Sequence, residues 1–244
     1  MASLLRLSLL DFRYILKAKE LWISLTIVIA YTLSLYFYSI NSNQPKTIDT
    51  YYQIINDLSF YIFIIIPSLV LSKDYAFKTS RILYTGAFSK LTVVLSKMFS
   101  VLMFYLLFSI VHRLGANSLW MINQKVFSFE TLLSGLPITI VIYMIIGIST
   151  CLLAFLITLI TYSRMATLIA MFAFFIIEKY LRGILLLIFP NRDLKLILNH
   201  NPIAISIEAL QYNTITLMDC FIVLFTSIFI GFITLIVLQK KEIN

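Results

Sequence analysis

Few residues in this 244-residue chain have the types and spacing that catalysis requires. Its two histidines, His112 and His200, stand far apart, and neither an HExxH nor a GxSxG pattern occurs. The six glycines are scattered and none is followed by Lys-Ser or Lys-Thr, so the sequence contains no P-loop for a nucleoside triphosphate. Because intramembrane hydrolysis needs convergent acids, histidines or a metal, we expect no catalytic residues in this chain.

The cysteines do not indicate a metal or redox centre. Cys151 and Cys220 each lie in or beside an apolar run, and neither belongs to a CxxC or a Cys/His pattern. We interpret both as small core residues. The sequence therefore predicts no metal and no cofactor bound by this chain itself.

Charged residues inside apolar runs are the next candidates, because an ionisable group within a membrane is costly and is often functional. Asp57 would contact a substrate or a partner helix if it lies at depth, whereas a later helix start would place it at the outer headgroups. Glu178 and Arg182 are four residues apart and can pair on one helix face. We expect this pair to end a span rather than to bind a substrate.

Aromatic residues near these charges could line an apolar route through the membrane. They are Phe60, Phe63, Phe172, Phe174 and Phe175. All of them except Phe174 form, together with Asp57, the predicted substrate path. The alternative is that these rings face lipid or neighbouring helices, which is the commoner role of aromatic residues in such segments.

The stretch from Lys73 to Lys97 is the longest polar and basic interruption between two apolar runs. Its basic residues are Lys73, Lys78, Arg81, Lys90 and Lys97, and its single acid is Asp74. Asp74 stands where it favours a helix dipole and can pair with Lys78. Gly86 is placed to end that helix, and Ser89 is placed to cap the next one.

The spacing predicts a short amphipathic helix over Tyr75 to Tyr84. One of its faces carries Tyr75, Thr79, Ile82 and Leu83, and another carries Lys78 and Arg81. A face of this kind, beside a basic face, is typical of a docking surface. We expect the stretch to receive a mechanical input from another protein.

The composition is that of a membrane protein. The chain is 61% hydrophobic and only 12% charged, with a mean hydropathy of +0.97, whereas soluble domains carry about 25% charged residues. The net charge of +8 comes from Lys and Arg beside apolar runs, where they contact anionic headgroups rather than nucleic acid. Charges throughout the first twenty residues favour a retained first span over a cleaved signal peptide.

The apolar runs predict an all-α polytopic membrane protein that forms one transmembrane domain over residues 1–244. Six spans are expected, at about 21–40, 51–71, 91–111, 136–160, 165–180 and 217–238. Pro67 should kink the second span, and a polar loop containing His112, Arg113 and Asn117 should follow the third. Tyr162-Ser163-Arg164 should form a tight turn. Residues 73–90 form the coupling region, and residues 181–216 form an outer region with re-entrant helices, including a short piece from Leu181 to Phe189.

The first twenty residues predict a helix that lies in the membrane interface. Arg6, Arg13 and Lys17 fall near one line of this helix, and leucines with Phe12 occupy much of the rest. A solvated tail is the alternative, but it would leave many leucines in water. With six spans and the N-terminus inside, 12 of the 19 basic residues are on the inner side, which predicts cytoplasmic termini and a cytoplasmic coupling region.

The run from Asp74 to Lys97 resembles the signature that follows the second span in ABC-2-type exporter permeases. That signature has an acid, a Gly-Thr, a leucine-rich turn, a Pro-x-Ser-Arg and a Gly-Lys that opens the third span. Without gaps, the matching positions are Asp74, Thr79, Ile82, Leu83, Ser89, Lys90 and Lys97. The chain departs from it at Lys78, Ala87 and Ser96, which replace the first Gly, the Pro and the second Gly.

This resemblance implies a homodimer of permeases on two separate cytosolic ATPase subunits, a 2:2 complex in which ATP and Mg²⁺ bind only the ATPase. The Tyr75 to Tyr84 helix and the N-terminal helix, with Arg6 and Arg13, would dock on the ATPase. The first, second and fifth spans would line the path at the dimer axis. The Asn201-Pro202 pair before the sixth span also fits the family's plan.

Within the family, the size and the Ile/Lys/Asn-rich composition are similar to peptide exporters or bacteriocin-immunity permeases of low-GC Gram-positive bacteria. The nearest resemblance is to the membrane subunits of phenol-soluble modulin exporters of staphylococci. The expected function is ATP-driven export of amphipathic peptides through the bacterial cytoplasmic membrane. A stand-alone secondary transporter or channel is the alternative, although no internal repeat is evident, and an intramembrane enzyme is a weaker one.

Overall fold

The computed structural model describes residues 2–40, 47–76, 89–189 and 197–240, without the side chains of residues 2, 3, 39, 40, 57–59, 75 and 76. Nine helices lie wholly within this part: α1 (Ala2–Lys17), α2 (Lys19–Ile40), α3 (Ile48–Ala76), α4 (Lys90–Gln124), α5 (Phe129–Leu133), α6 (Leu136–Thr161), α7 (Arg164–Ile188), α8 (Pro202–Tyr212) and α9 (Leu217–Lys240). The described residues contain no strand, which confirms the all-α prediction.

Helices α4 and α6 form the centre of the bundle. α6 packs against α4 and α9, and α4 also packs against α1 and α3. In the most apolar segment of α4, 56% of the residues are buried. In the corresponding segments of α2 and α9, only 22% of the residues are buried. The outer helices therefore present large apolar side chains, such as Trp22 of α2 and Phe225 of α9, to their surroundings.

Four segments of the described chain are long and apolar enough to cross a membrane. They are Lys19–Tyr38, Lys90–Gln124, Phe129–Thr161 and Leu217–Lys240. Helix α3 is a fifth if its two parts, Ile48–Asn56 and Phe60–Asp74, are counted as one span bent by 41°. Helix α7 carries three charges within its apolar run, so the fifth predicted span, at about 165–180, stays a prediction.

Contacts between helix ends show that the six long helices run alternately between two ends of the bundle. At the first end, Lys90 of α4 donates to the Leu238 carbonyl of α9 (3.0 Å), and Arg164 of α7 pairs with Glu20 of α2. At the second end, the rings of Tyr36 and Tyr51 join α2 to α3 at 6.0 Å. The connection after α8 also lies there, because Thr139 of α6 donates to Asn213 (2.9 Å).

Helix α3 tolerates its internal proline because a neighbouring helix replaces the missing hydrogen bond. Pro67 has no N–H to donate to the Phe63 carbonyl one turn earlier. The Tyr105 hydroxyl of α4 donates to that carbonyl instead, at 2.9 Å, and its ring stacks on Phe63 at 4.3 Å. The 41° bend of α3 lies before Pro67, between Asn56 and Phe60.

Helix α4 is longer than the sequence predicts. Ser89 caps its start by accepting a hydrogen bond from the Thr92 amide (3.1 Å), as predicted. The helix then continues to Gln124, so the polar loop predicted after Val111 is wrong: His112, Arg113 and Asn117 are helical and buried. Thirty-five residues make a helix of roughly 52 Å, longer than the ~30 Å hydrocarbon core of a bilayer.

Helix α7 is unbroken, whereas the sequence predicts a span that ends near Tyr180 and a separate piece from Leu181 to Phe189. The predicted turn before it is confirmed, with Tyr162 in a left-handed conformation and Ser163 capping α7. The charges do not break the helix because they have partners: Arg182 pairs with Glu178 along α7 and with Glu208 of α8. Paired charges can stay on a helix that packs against neighbours.

Candidate functional site

Four charged side chains meet where α1, α3 and α4 come together at the first end of the bundle. Lys97 of α4 is 2.7 Å from Asp74 Oδ2 and 3.9 Å from Asp11 Oδ2. Asp11 of α1 also pairs with Lys73, and Lys73 lies 4.8 Å from the centre of the Tyr14 ring. We call Asp11, Lys73, Asp74 and Lys97 the charge cluster. It has two acids and two bases, so it is neutral as a whole.

The charge cluster is deeply buried. The side chains of Asp74 and Lys97 are each only 2% exposed, and those of Asp11 and Lys73 are 10% and 16% exposed. Lys97 also donates to the Val70 carbonyl (3.3 Å). Burying charges costs free energy that pairing only offsets when the geometry is good, and removing one partner then costs about 3–5 kcal/mol. The cluster therefore fixes the relative positions of three helices.

The cluster borders the basic stretch on both sides. Lys73 and Asp74 lie just before residues 77–88, which are outside the described residues, and Lys97 lies shortly after them. Helix α1 joins the same cluster through Asp11. The two flanks of the predicted coupling region and the N-terminal helix are thus connected through side chains rather than through the chain alone.

Helix α1 has three faces, as expected for an interfacial helix that also packs on a bundle. Ser8, Asp11 and Ile15 form its buried face. Leu5, Leu9 and Leu16 form an exposed apolar face, and Arg6, Arg13 and Lys17 form an exposed basic face. An apolar face beside a basic face suits the boundary between acyl chains and headgroups.

The predicted coupling residues fall into four groups. Lys78, Thr79, Arg81, Ile82 and Leu83, with the side chain of Tyr75, lie outside the described part of the structure. Asp74 and Lys97 are in the charge cluster. Ser89 and Lys90 complete helix ends, and Arg6 and Arg13 are exposed on α1. Asp11 is not among the coupling residues predicted from the sequence. The signal that could have identified it is its position on the face of α1 roughly opposite Arg13, where a single acid needs a partner.

A second polar cluster, at the other end of α4, was also not predicted. His112 shares a hydrogen bond with Tyr143 of α6 and stacks on Tyr52 of α3, with ring centres 4.5 Å apart. Arg113 donates to the Ser134 carbonyl (2.7 Å), and Asn117 donates to the Leu132 and Ser134 carbonyls (2.7 and 3.0 Å). These bonds satisfy carbonyls at the end of α5, which explains why polar residues on α4 are buried.

The predicted substrate path is only partly assembled. Phe60 meets Phe175 at 5.3 Å, and Tyr61 stacks on Phe172 at 5.7 Å, so these rings form a seam between α3 and α7. Phe63 instead is fully buried against Tyr105 in the core. The side chain of Asp57 lies outside the described residues.

A small cavity of about 40 Å³ adjoins this seam. Its polar lining residues are Asn56, Tyr61, Lys179, Tyr180 and Gln211. The volume is large enough for about one or two water molecules. The seam is therefore a packed contact in this conformation of the single chain and not an open route.

Sequence comparisons add no family to this description. No family model matches the chain, and no curated protein matches it. The fold and the site define a class only: an all-helical protein with several helices that can cross a membrane and a buried charge cluster at one end.

Proposed function

We propose that the chain is the membrane permease of an ABC exporter that moves amphipathic peptides out of a Gram-positive cell. A separate cytosolic subunit would bind ATP and Mg²⁺ and hydrolyse the nucleotide, in keeping with the lack of a P-loop in the sequence. The observation that carries the proposal is the charge cluster, because it connects both flanks of the basic stretch to each other and to α1.

The cluster supports a specific way of passing on a mechanical input. A partner that pushes on residues 77–88 would act on a segment whose ends are tied together by Asp74 and Lys97. Because Asp11 is part of the same network, α1 would move with α3 and α4 rather than independently. Coupling through a contiguous network of this kind needs no residue that touches both the ATPase and the substrate.

The proposed arrangement in the membrane has six spans, formed by α2, α3, α4, α6, α7 and α9. Their alternation between the two ends of the bundle supports it, and so does the excess of basic residues on the end with the charge cluster. Both termini would be cytoplasmic. The exposed apolar sides of α2 and α7 would face lipid and a second copy of the permease.

The test is whether the basic stretch binds an ATPase. The Arg81→Glu and Leu83→Ala changes should abolish co-purification of a P-loop ATPase, identified by mass spectrometry, from membranes of cells that express the chain. Lys179→Glu is the matched control, because it reverses an exposed charge on α7 towards the other end and should leave the co-purification unchanged. An ATPase that remains bound to the Arg81 and Leu83 variants would refute docking at this stretch.

A stand-alone secondary transporter is the second candidate, and the His112 cluster is the observation that favours it. A buried histidine that is hydrogen-bonded to a tyrosine within a helical membrane protein can belong to a proton relay. The same residues also have a structural role, since they join α3, α4 and α6. A His112→Asn variant that folds normally and transports peptide with ATP alone would count against a proton-coupled mechanism.

A further inference from the structure

A groove of about 500 Å³ lies along α7 beside the start of α8, and this volume is within the range of ligand-binding pockets. Six of its eight lining residues are apolar: Ala170, Ala173, Phe174, Ile177, Leu181 and Ile203. The other two are Glu178 and Asn201. Phe174, Ile177 and Leu181 are about half exposed, so the groove opens sideways, towards the surroundings of the bundle.

Glu178 is the charged group of the groove. Its side chain is only 9% exposed, and its Oε1 lies 3.5 Å from Arg182 Nε. Its Oε2 has no hydrogen-bond partner among the described residues. A buried carboxylate oxygen without a donor is unfavourable, and a charged donor that reached it would remove that cost.

Among the described residues, the ion pairs that include Glu178 leave an excess of one negative charge. Arg182 also pairs with Glu208, so two carboxylates share one guanidinium group. Lys179, the next residue along α7, lines the small cavity with Asn56 and Gln211 and does not border the groove. The groove therefore complements a single cation that is attached to apolar groups.

We propose that this groove binds an ammonium group of an amphipathic peptide, such as a lysine flanked by leucines, with the ammonium donating to Glu178 Oε2. The apolar walls would bury the flanking side chains, and the lateral opening would admit a peptide that is already dissolved in the membrane. This inference rests on the proposed peptide export for the identity of the ligand. It adds which chemical group of the peptide the permease recognises and where.

Photo-crosslinking to the full chain in nanodiscs of zwitterionic phosphatidylcholine tests the proposal. The probe is a helical peptide of leucine and serine with blocked ends, one lysine and a photoreactive leucine beside it. The matched probe has the same sequence with an acetylated lysine, which removes the charge. We expect about tenfold more crosslinking with the charged probe at low peptide concentration, located in residues 170–181.

Three variants locate the effect. Glu178→Gln should abolish the preference for the charged probe, and Ala173→Leu should lower the labelling by both probes because it fills the groove. Glu130→Gln is the control: it removes an exposed carboxylate of α5 that does not line the groove and is not one of the two acids that pair with Arg182, so the preference should persist. Equal labelling by both probes, or a preference that survives in Glu178→Gln or disappears equally in Glu130→Gln, would overturn the proposal.

The failures of this inference and of the proposed function are distinguishable, because the crosslinking uses the permease without its ATPase. If an ATPase co-purifies but the probes label equally, the groove does not recognise an ammonium group and the exporter proposal stands. If the charged probe is preferred but no ATPase binds, the groove is a peptide site in a protein of a different class.

Discussion

Two side chains of α4 donate hydrogen bonds to backbone carbonyls of the helix beside it. Tyr105 donates to the carbonyl that Pro67 leaves without an amide partner, and Lys97 donates to the Val70 carbonyl while it pairs with Asp74. Neither partnership follows from the sequence, because both join residues that are far apart in the chain. The sequence does identify Pro67 and Asp74 as residues that need a partner, and the fold supplies it.

Removing the Tyr105 hydroxyl should destabilise the protein, because Pro67 cannot donate a hydrogen bond to the Phe63 carbonyl. Tyr105→Phe leaves the buried Phe63 carbonyl without a donor and should lower the free energy of unfolding by about 1–3 kcal/mol. In a Pro67→Ala background the helix regains its own N–H, so the same change should cost much less. Thermal unfolding of the four proteins in detergent measures this; equal costs in both backgrounds would contradict the assignment.

Replacing one member of the Lys97–Asp74 ion pair should lower the free energy of unfolding more than replacing both members. Lys97→Met removes the base that lies 2.7 Å from the buried Asp74 carboxylate and should destabilise the protein by roughly 3–5 kcal/mol. Adding Asp74→Leu removes the matching acid as well and should recover most of that loss, because Asp11 still pairs with Lys73. The measurement is a double-mutant cycle of unfolding free energies, and additive costs would show that the two residues do not interact.

At the scale of elements, the structure confirms the helix cap and the turn that were predicted from local sequence. It does not confirm the predicted helix ends whose positions depend on tertiary contacts. The Ser89 cap and the turn at Tyr162 depend on short-range hydrogen bonds, which the sequence reveals. The ends of α4 and α7 depend on partners in other helices, such as Glu208 for Arg182. Polar residues near the end of an apolar run therefore indicate either a loop or a buried network, and only the packing decides between them.

Two glycines on central and outer helices should respond in opposite directions to alanine. At Gly147 of α6 an added methyl group would clash with the Tyr105 ring of α4, so Gly147→Ala should cost about 1–3 kcal/mol. At Gly183 of α7 no atom of the described residues lies within 4 Å of the added carbon, so Gly183→Ala should stabilise the helix by roughly 0.5–1 kcal/mol. Unfolding midpoints of both variants check this, and a harmless Gly147→Ala would contradict the close approach of α4 and α6.

At the scale of the whole molecule, composition alone is enough to predict a helical membrane protein, because so few charged residues cannot cover a soluble fold. Composition does not predict the function in the same way. The groove with Glu178 depends on α7 and α8 lying side by side, and the charge cluster depends on α1 returning to α3 and α4. Such sites are formed by topology, so the local sequence around Asp11 or Glu208 does not reveal which residue is its partner.

The most direct test of the proposed exporter is a measurement of which energy source drives peptide transport. Inside-out membrane vesicles from cells that express the chain should take up the lysine-containing amphipathic peptide when ATP and Mg²⁺ are added. Vesicles from cells without the chain should not. We predict uptake that requires ATP hydrolysis and continues when a protonophore abolishes the proton gradient. Uptake that is driven by a proton gradient in the absence of ATP would contradict an ATP-driven exporter and favour a secondary transporter.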